Sequence, residues 1–441
     1  MDPSRAASLR FRAEPFTWKS VVKLSPILPR VFATAALFVS MSSCSENLDS
    51  TGVCDVLCTQ IGGAVQNITL DAVLVDTTVQ ALSGLGTEPA LLLASRGDTL
   101  DTRVVIRFDS LPATFVPAGD TAQPIASVDS AYIQLMLDTT TIKGTDPVTI
   151  EAYDVDTTAN DTSSAAVLAL FRPDRFISSQ TFLRAELTDT LKYFISNAAV
   201  LARIQSGAAL RVGLRAVSVG SSQLRFISTE GSFGPRMFFR ATPDTATAPL
   251  TVSPFSRTPV GEAILAANLS DYTLIAKAPP PAPPSVLAVG GLPARRVYIM
   301  FDIPSNIIDS STIIRATLLL NQLPNTGIDP TDTVAFLPQV VLAGKAVTDP
   351  AKAAQIIGSI SIDTLRLRPG DSGPANVELA SAFIVWRTVK PDTLPRAIVL
   401  KSVSEGNSPL ELRFSSSEDV VAALRPRLRI SFTSKVPLRL P

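Results

Sequence analysis

The chain has 441 residues, with Lys+Arg and Asp+Glu balanced at 39 each and no histidine. That length exceeds one ordinary domain and fits two of roughly 180–190 residues, and the charge balance gives no field that would draw nucleic acid. The missing histidine removes Ser-His-Asp and Cys-His nucleophile arrangements and most catalytic zinc sites. Hydrophobic residues make up 46% at a mean hydropathy of +0.28, yet aromatics only 6%. The apolar content is therefore aliphatic and suits buried sheet faces. No stretch offers the ~20 continuous apolar residues of a membrane helix.

The N-terminus has the form of an export signal. Lys19, Lys23 and Arg30 precede an apolar run of 11 residues, Val31 to Met41, followed by Ser42-Ser43-Cys44. Met41-Ser42-Ser43-Cys44 resembles the bacterial lipobox, whose cysteine is lipidated and becomes the new N-terminus; Met stands here where Leu is usual. An ordinary signal peptide with an incidental cysteine is the competing reading. Residues 1–20 are long for a leader, and a translation start near Val21 or Val22 would remove them. Residues 1–43 thus read as a lipoprotein-type signal peptide and 44–63 as a tether that carries the body clear of a membrane held through Cys44. The leader holds six basic and two acidic residues, which leaves 33 against 37 in the remainder, net −4. Cys54 and Cys58 form a close pair that outside the cytoplasm favours a disulfide over free thiols. A zinc site would need four ligands that the chain does not supply.

The body alternates with period two. Val104, Ile106 and Phe108 fall on one face of a strand whose other face carries Arg103, Arg107 and Asp109. Such a strand has one buried side, as in an antiparallel sandwich. Ala131-Tyr132-Ile133-Gln134-Leu135 repeats the pattern, and near the C-terminus Leu428, Ile430 and Phe432 alternate with Arg427, Arg429 and Ser431. Asp-Thr pairs, at Asp98, Asp138, Asp156, Asp189 and Asp332 among others, punctuate these strands as turns. Thr348-Asp349-Pro350 has a capping residue followed by proline in the first turn, so a short helix is expected there.

The sequence also repeats itself. Arg103-Val-Val-Ile-Arg-Phe-Asp109 matches Arg296-Val-Tyr-Ile-Met-Phe-Asp302, and Arg225-Phe-Ile-Ser-Thr-Glu230 matches Arg413-Phe-Ser-Ser-Ser-Glu418. The offsets are 193 residues from Asp109 to Asp302 and 188 from Glu230 to Glu418. A nearly fixed offset means one domain used twice. The expected architecture is all-β: two tandem antiparallel jelly-roll-like β-sandwiches with few short helices, over 64–244 and 245–434, then a tail at 435–441. On this reading Leu274-Ile275 opens the second sandwich, and the run Pro279–Pro284 is a loop inside it rather than the linker.

The ordered signals resemble the DNRLRE family, which includes the family-96 carbohydrate-binding modules. The residues that carry the resemblance are Phe108-Asp109 and Phe301-Asp302, Glu378-Leu379-Ala380 leading to Trp386, and the two Arg-Phe…Glu segments, in two copies over most of 64–434. The resemblance implies a jelly-roll sandwich on secreted or surface-attached bacterial proteins, some of which bind polysaccharide. The first copy lacks the tryptophan.

Candidate chemistry is sparse. Asp109/Asp302 and Glu230/Glu418 are the obvious carboxylate pairs for a glycan-cleaving enzyme. Each occurs once per copy, however, so a charged strand end bonded to Arg103, Arg296 or backbone is the favoured reading. Trp386 is the only tryptophan beyond Trp18; aligning Leu379 with Leu187 sets it opposite Phe194, and matched aromatics read as core. Tyr132, Tyr153, Tyr193, Tyr272 and Tyr298 remain as platforms for a sugar. Asp138, Asp146, Asp154, Asp156 and Asp161 lie close in sequence, but turn chemistry explains them better than calcium, and no pattern calls for a cofactor. The expected function is non-catalytic: an envelope lipoprotein of the outer membrane that binds extracellular polysaccharide or acts in adhesion. The alternatives are a structural or protein-interaction lipoprotein and, more remotely, the enzyme; an outer-membrane barrel is opposed by the low aromatic content. Cys44→Ala is expected to move the protein from the membrane to the soluble fraction in cell fractionation, and continued membrane retention would refute the anchor.

Overall fold

A computed structural model describes residues 64–82, 86–117, 121–157, 163–241, 248–257, 269–360, 364–389 and 393–435. The signal, the tether and all three cysteines lie outside the described residues. The first strands are β1 (Gln66–Leu70), β2 (Val73–Gln80), β3 (Ala90–Arg96), β4 (Leu100–Phe108), the two-residue β5 (Thr114–Phe115) and β6 (Gln123–Pro124), β7 (Val128–Met136) and β8 (Val148–Asp154). They are followed by β9 (Phe176–Phe182), β10 (Thr190–Phe194), β11 (Leu210–Val217), β12 (Ser222–Ile227), β13 (Arg236–Ala241), β14 (Leu250–Val252) and β15 (Asp271–Lys277). The rest are β16 (Val286–Gly290), β17 (Arg295–Phe301), β18 (Ser311–Leu323), β19 (Val334–Val341), β20 (Ile357–Ser359), β21 (Leu365–Leu367), β22 (Gly373–Glu378), β23 (Ala397–Ser402), β24 (Glu411–Ser415) and β25 (Arg427–Ser434). Among the described residues helices are few and short: α1 (Ser164–Leu168), α2 (Asn197–Ser206), α3 (Ser305–Ile308), α4 (Pro350–Ala353) and α5 (Ala380–Thr388). Among the described residues no helix is long and apolar enough to cross a membrane.

The protein is all-β, with antiparallel strands throughout its sheet ladders. Its two largest hydrophobic clusters are separate. One is built from residues between Leu91 and Val252, the other from Ala72 together with residues between Leu287 and Phe432. The alternation read from sequence accounts for both. Val104, Ile106, Phe108, Ile133 and Leu135 are fully buried in the first, and Val297, Ile299, Leu428 and Ile430 in the second. The expected short helix forms as α4, with the Asp349 carboxylate accepting from the Ala351 N–H at 2.9 Å.

Hydrogen bonding does not follow the expected spans 64–244 and 245–434. Leu274 and Ile275, placed by sequence at the start of the second sandwich, lie in β15, which pairs with β4 of the first half. Conversely β2 pairs with β17, and β1 with β25, of the second half. The run Pro279–Pro284 therefore spans between a strand of one sheet and a strand of the other, the linker position that composition alone indicates. The exchange is reciprocal, and its chemistry matches residue for residue. Asp271 lies opposite Ile106 and accepts from the Thr229 N–H at 2.9 Å and the Thr229 hydroxyl at 2.7 Å. Asp76 lies opposite Ile299 and accepts from the Ser417 N–H at 2.7 Å and its hydroxyl at 2.5 Å. Two residues on, Thr273 Oγ1 accepts from the Leu92 N–H at 3.0 Å, and Thr78 Oγ1 from the Ala288 N–H at 2.9 Å. The repeated Arg-Phe-x-Ser-Thr/Ser-Glu segment is thus a receptor for an incoming strand. Its fifth residue, Thr229 or Ser417, holds the aspartate of that strand.

The strands around Val104 and Val297, expected to be buried on one face, are covered on their outer faces too. Val105 packs with Tyr153, Val167 of α1, and Tyr272 and Leu274 of β15. Tyr298 packs with Val79 of β2, Ala353 of α4 and Val399. The covering comes from the exchanged strands and from short helices that local periodicity does not reveal.

Burial leaves Asp271 in an acidic setting. Desolvation pushes its pKa to about 6 against the bonds from Thr229, and Glu230 and Glu88 add to the rise. A carboxyl whose folded pKa lies above its unfolded value gives stability that is full below the unfolded value near 3.8 and fades as pH climbs through about 6. Relative to Asp271→Asn, the wild type is expected to gain about 2 kcal/mol as pH falls from 7 to 4. Urea unfolding of both proteins across that range checks this, and a difference that does not change with pH would contradict it.

Candidate functional site

A row of three aromatic rings lies on the outer face of the four-stranded sheet of order β10-β7-β13-β14. Tyr132 of β7 is opposite Phe194 of β10 on one side and Phe238 of β13 on the other. Alternation puts all three on the side away from the core, since their neighbours Ile133, Tyr193, Met237 and Phe239 are buried. The Tyr132 and Phe238 rings stack at 5.2 Å with a 15° interplanar angle, and the Tyr132 and Phe194 centroids are 5.8 Å apart. Phe194 is 52% exposed. Polar side chains border the row. The Lys192 ammonium sits 5.3 Å above the Tyr132 ring, and Gln134 pairs between Lys192 and Arg236 in the next rung. The face thus sets one exposed ring, Phe194, beside the two half-buried rings of Tyr132 and Phe238, flanked by hydrogen-bonding groups.

The second half does not repeat it. There Thr317 of β18 lies between Glu378 of β22 and Arg429 of β25. The same strand positions that carry Phe-Tyr-Phe in one half carry Glu-Thr-Arg in the other.

The candidates read from the sequence fall elsewhere or in other roles. Trp386 is buried on α5, in ring contact with Phe301 and Phe383. The alignment of Leu379 with Leu187 that matched it to Phe194 fails: strand register sets Phe194 against Glu378, while Trp386 belongs to the helix after the strand. Tyr153, Tyr193, Tyr272 and Tyr298 are buried, so Tyr132 is the tyrosine left for a platform. The two phenylalanines beside it escape a sequence reading because they come from strands distant along the chain. Glu230 and Glu418 are exposed in the turns that follow the receptor residues. Asp138 accepts from Thr140 and pairs with Arg225; Asp154 and Asp156 both pair with Arg203. Asp146 is exposed, and Asp161 lies outside the described residues.

Asp109 and Asp302 have opposite fates. Asp109 is buried and accepts from Arg107 at 3.0 Å, from Arg211 at 2.8 and 3.0 Å, and from the Arg257 N–H at 2.8 Å. Its arginine partners are therefore not the expected Arg103, which pairs with Asp101. Burial alone would raise the Asp109 pKa, but the Arg211 bond, the Arg107 charge and the Arg257 N–H outweigh it and hold it below the usual range. Asp302 is exposed, and Arg296 pairs with Glu405 instead.

No protein-family model matches the chain, and neither does any curated protein. Among solved structures, the chain is similar to a candidate secreted protein of Parabacteroides distasonis, at 11% identity and a TM-score of 0.22 over 84% of this chain and all of that one. It is also similar to the tandem CBM22 domains of Paenibacillus barcinonensis Xyn10C, at 8% identity and a TM-score of 0.14 over 86% of this chain and 99% of that one. A third is the C-terminal domain of the Streptococcus agalactiae AgI/II polypeptide BspA, at 10% identity and a TM-score of 0.16, over 81% of this chain and 90% of that one. Scores this low carry no argument about function.

The contrast between the two aspartates is measurable. Asp109→Ala removes the buried carboxylate that Arg107 and Arg211 share and is expected to cost about 3 kcal/mol; Asp302→Ala, at an exposed position, is expected to stay within about 0.5 kcal/mol. Chemical denaturation of both variants checks the pair, and equal effects would contradict the geometry.

Proposed function

We propose that this chain is a non-catalytic envelope protein, exported and anchored through Cys44, that binds extracellular polysaccharide on the aromatic row of Phe194, Tyr132 and Phe238. The row itself carries the reading. Sugar rings present C–H faces that pack on aromatic surfaces while their hydroxyls seek polar neighbours, and this face supplies adjoining rings with Lys192, Gln134 and Arg236 beside them. The DNRLRE resemblance points to the same ligand class. A cross-strand aromatic row also stabilises a sheet, typically by about 0.2–1 kcal/mol per pair. That role alone does not require Phe194 to stand half out of the surface.

The two roles separate by experiment. Affinity electrophoresis of the purified protein in gels containing neutral and acidic polysaccharides is expected to show retardation in at least one. Tyr132→Ala and Phe194→Ala are expected to weaken that binding roughly tenfold, about 1.4 kcal/mol, while Phe194→Tyr retains it. Retardation unchanged in both alanine variants, or absent with every polysaccharide, would leave the row a structural feature of the sheet.

A further inference from the structure

Matched by strand register, the two halves differ at a second place. β4 and β17 both end in Phe-Asp, but the residue before is Arg107 in one and Met300 in the other. On the adjacent strand, Arg107 lies opposite Arg211, and Met300 lies opposite Ala397. The second half has thus replaced two arginines by a thioether and a methyl group, yet kept their carboxylate partner: Asp302 is the counterpart of Asp109. Where Asp109 is enclosed by the arginines, Asp302 is exposed and lines a cavity of about 540 Å³ with Met300, Tyr298 and Trp386.

Trp386, 7% exposed, lines the cavity with one edge of its ring system. Asp309, Lys345 and Arg396 also line the cavity; Arg396 already donates to the Ile303 carbonyl. One wall is Val75, from exchanged strand β2, so the cavity is completed only when that strand is docked.

We propose that this cavity binds a ligand with a guanidinium group on a short apolar stem, the chemistry of arginine, free or within a peptide. The guanidinium takes up beside Asp302 the role that Arg107 and Arg211 fill beside Asp109, where planar fork geometry suits a carboxylate. The stem lies on Met300 and Tyr298. This site is independent of the aromatic row, which belongs to the other half.

Trp386 reports on its own occupancy. In the full chain carrying Trp18→Phe, titration with L-arginine and with N-acetylarginine amide, read by tryptophan fluorescence and calorimetry, is expected to saturate for at least one, and L-glutamate to give no change. Saturation by L-arginine alone identifies a free amino acid; equal saturation by the blocked compound identifies a peptide residue. Asp302→Asn, at an exposed position, is expected to weaken binding at least tenfold, and Met300→Arg, which restores the arginine of the first half, to abolish it. No saturable change with either arginine compound overturns the proposal, and so does binding that persists undiminished in Asp302→Asn.

Discussion

Two split hairpins govern this structure. β3 and β4 pair only from Ala94 to Arg96 against Leu100 to Thr102, and β16 and β17 only at Gly290 against Arg295. Beyond those points the strands of each hairpin diverge, and the backbone groups facing the gap must find partners elsewhere, because buried N–H and C=O groups left unpaired are costly. β15 enters the first gap and β2 the second. Each pairs by backbone with one wall, β4 or β17, and brings an aspartate and, two residues later, a threonine, whose side chains bond to the other, the β3/β12 or the β16/β24 side. Each also brings apolar side chains that cover the outer face of the sheet. The strands are therefore structural keystones supplied from the other half of the chain.

This arrangement ties the two hydrophobic clusters together. Ala72 belongs to the second cluster while its chain continues into β3 of the first; Val252 belongs to the first while its chain continues into β16 of the second. Direct contacts reinforce the tie, with Arg96 pairing to Asp329 at 2.6 Å and Lys143 to Asp332 at 2.6 Å. Leu292 packs with Leu92, Ala94 and Leu100 across the same junction.

On this shared frame the halves have diverged at corresponding positions. Phe-Tyr-Phe in one sheet answers Glu-Thr-Arg in the other, and an Arg-Arg-Asp network answers Met300 opposite Ala397, with an exposed Asp302 lining a cavity. In each case the strand skeleton stays fixed while outward or strand-end side chains change. The two halves thus present different surfaces over similar strand cores.

The all-β class, the paired faces of β4 and β17, the inward residues of β7 and β25 and the capped helix at Asp349 were legible in the sequence. Each rests on a local rule, a two-residue period or a cap with proline behind it. Which hairpin each strand enters was not legible, because Asp76-x-Thr78 and Asp271-x-Thr273 carry the same docking signature and fit either gap locally. The aromatic row was hidden for a related reason: its rings come from residues 132, 194 and 238, and only sheet register makes them neighbours. The repeated Arg-Phe-x-Ser-Thr/Ser-Glu segment was visible as a repeat in the sequence. Only the tertiary structure gave it its task, since a receptor has meaning only beside the strand it receives.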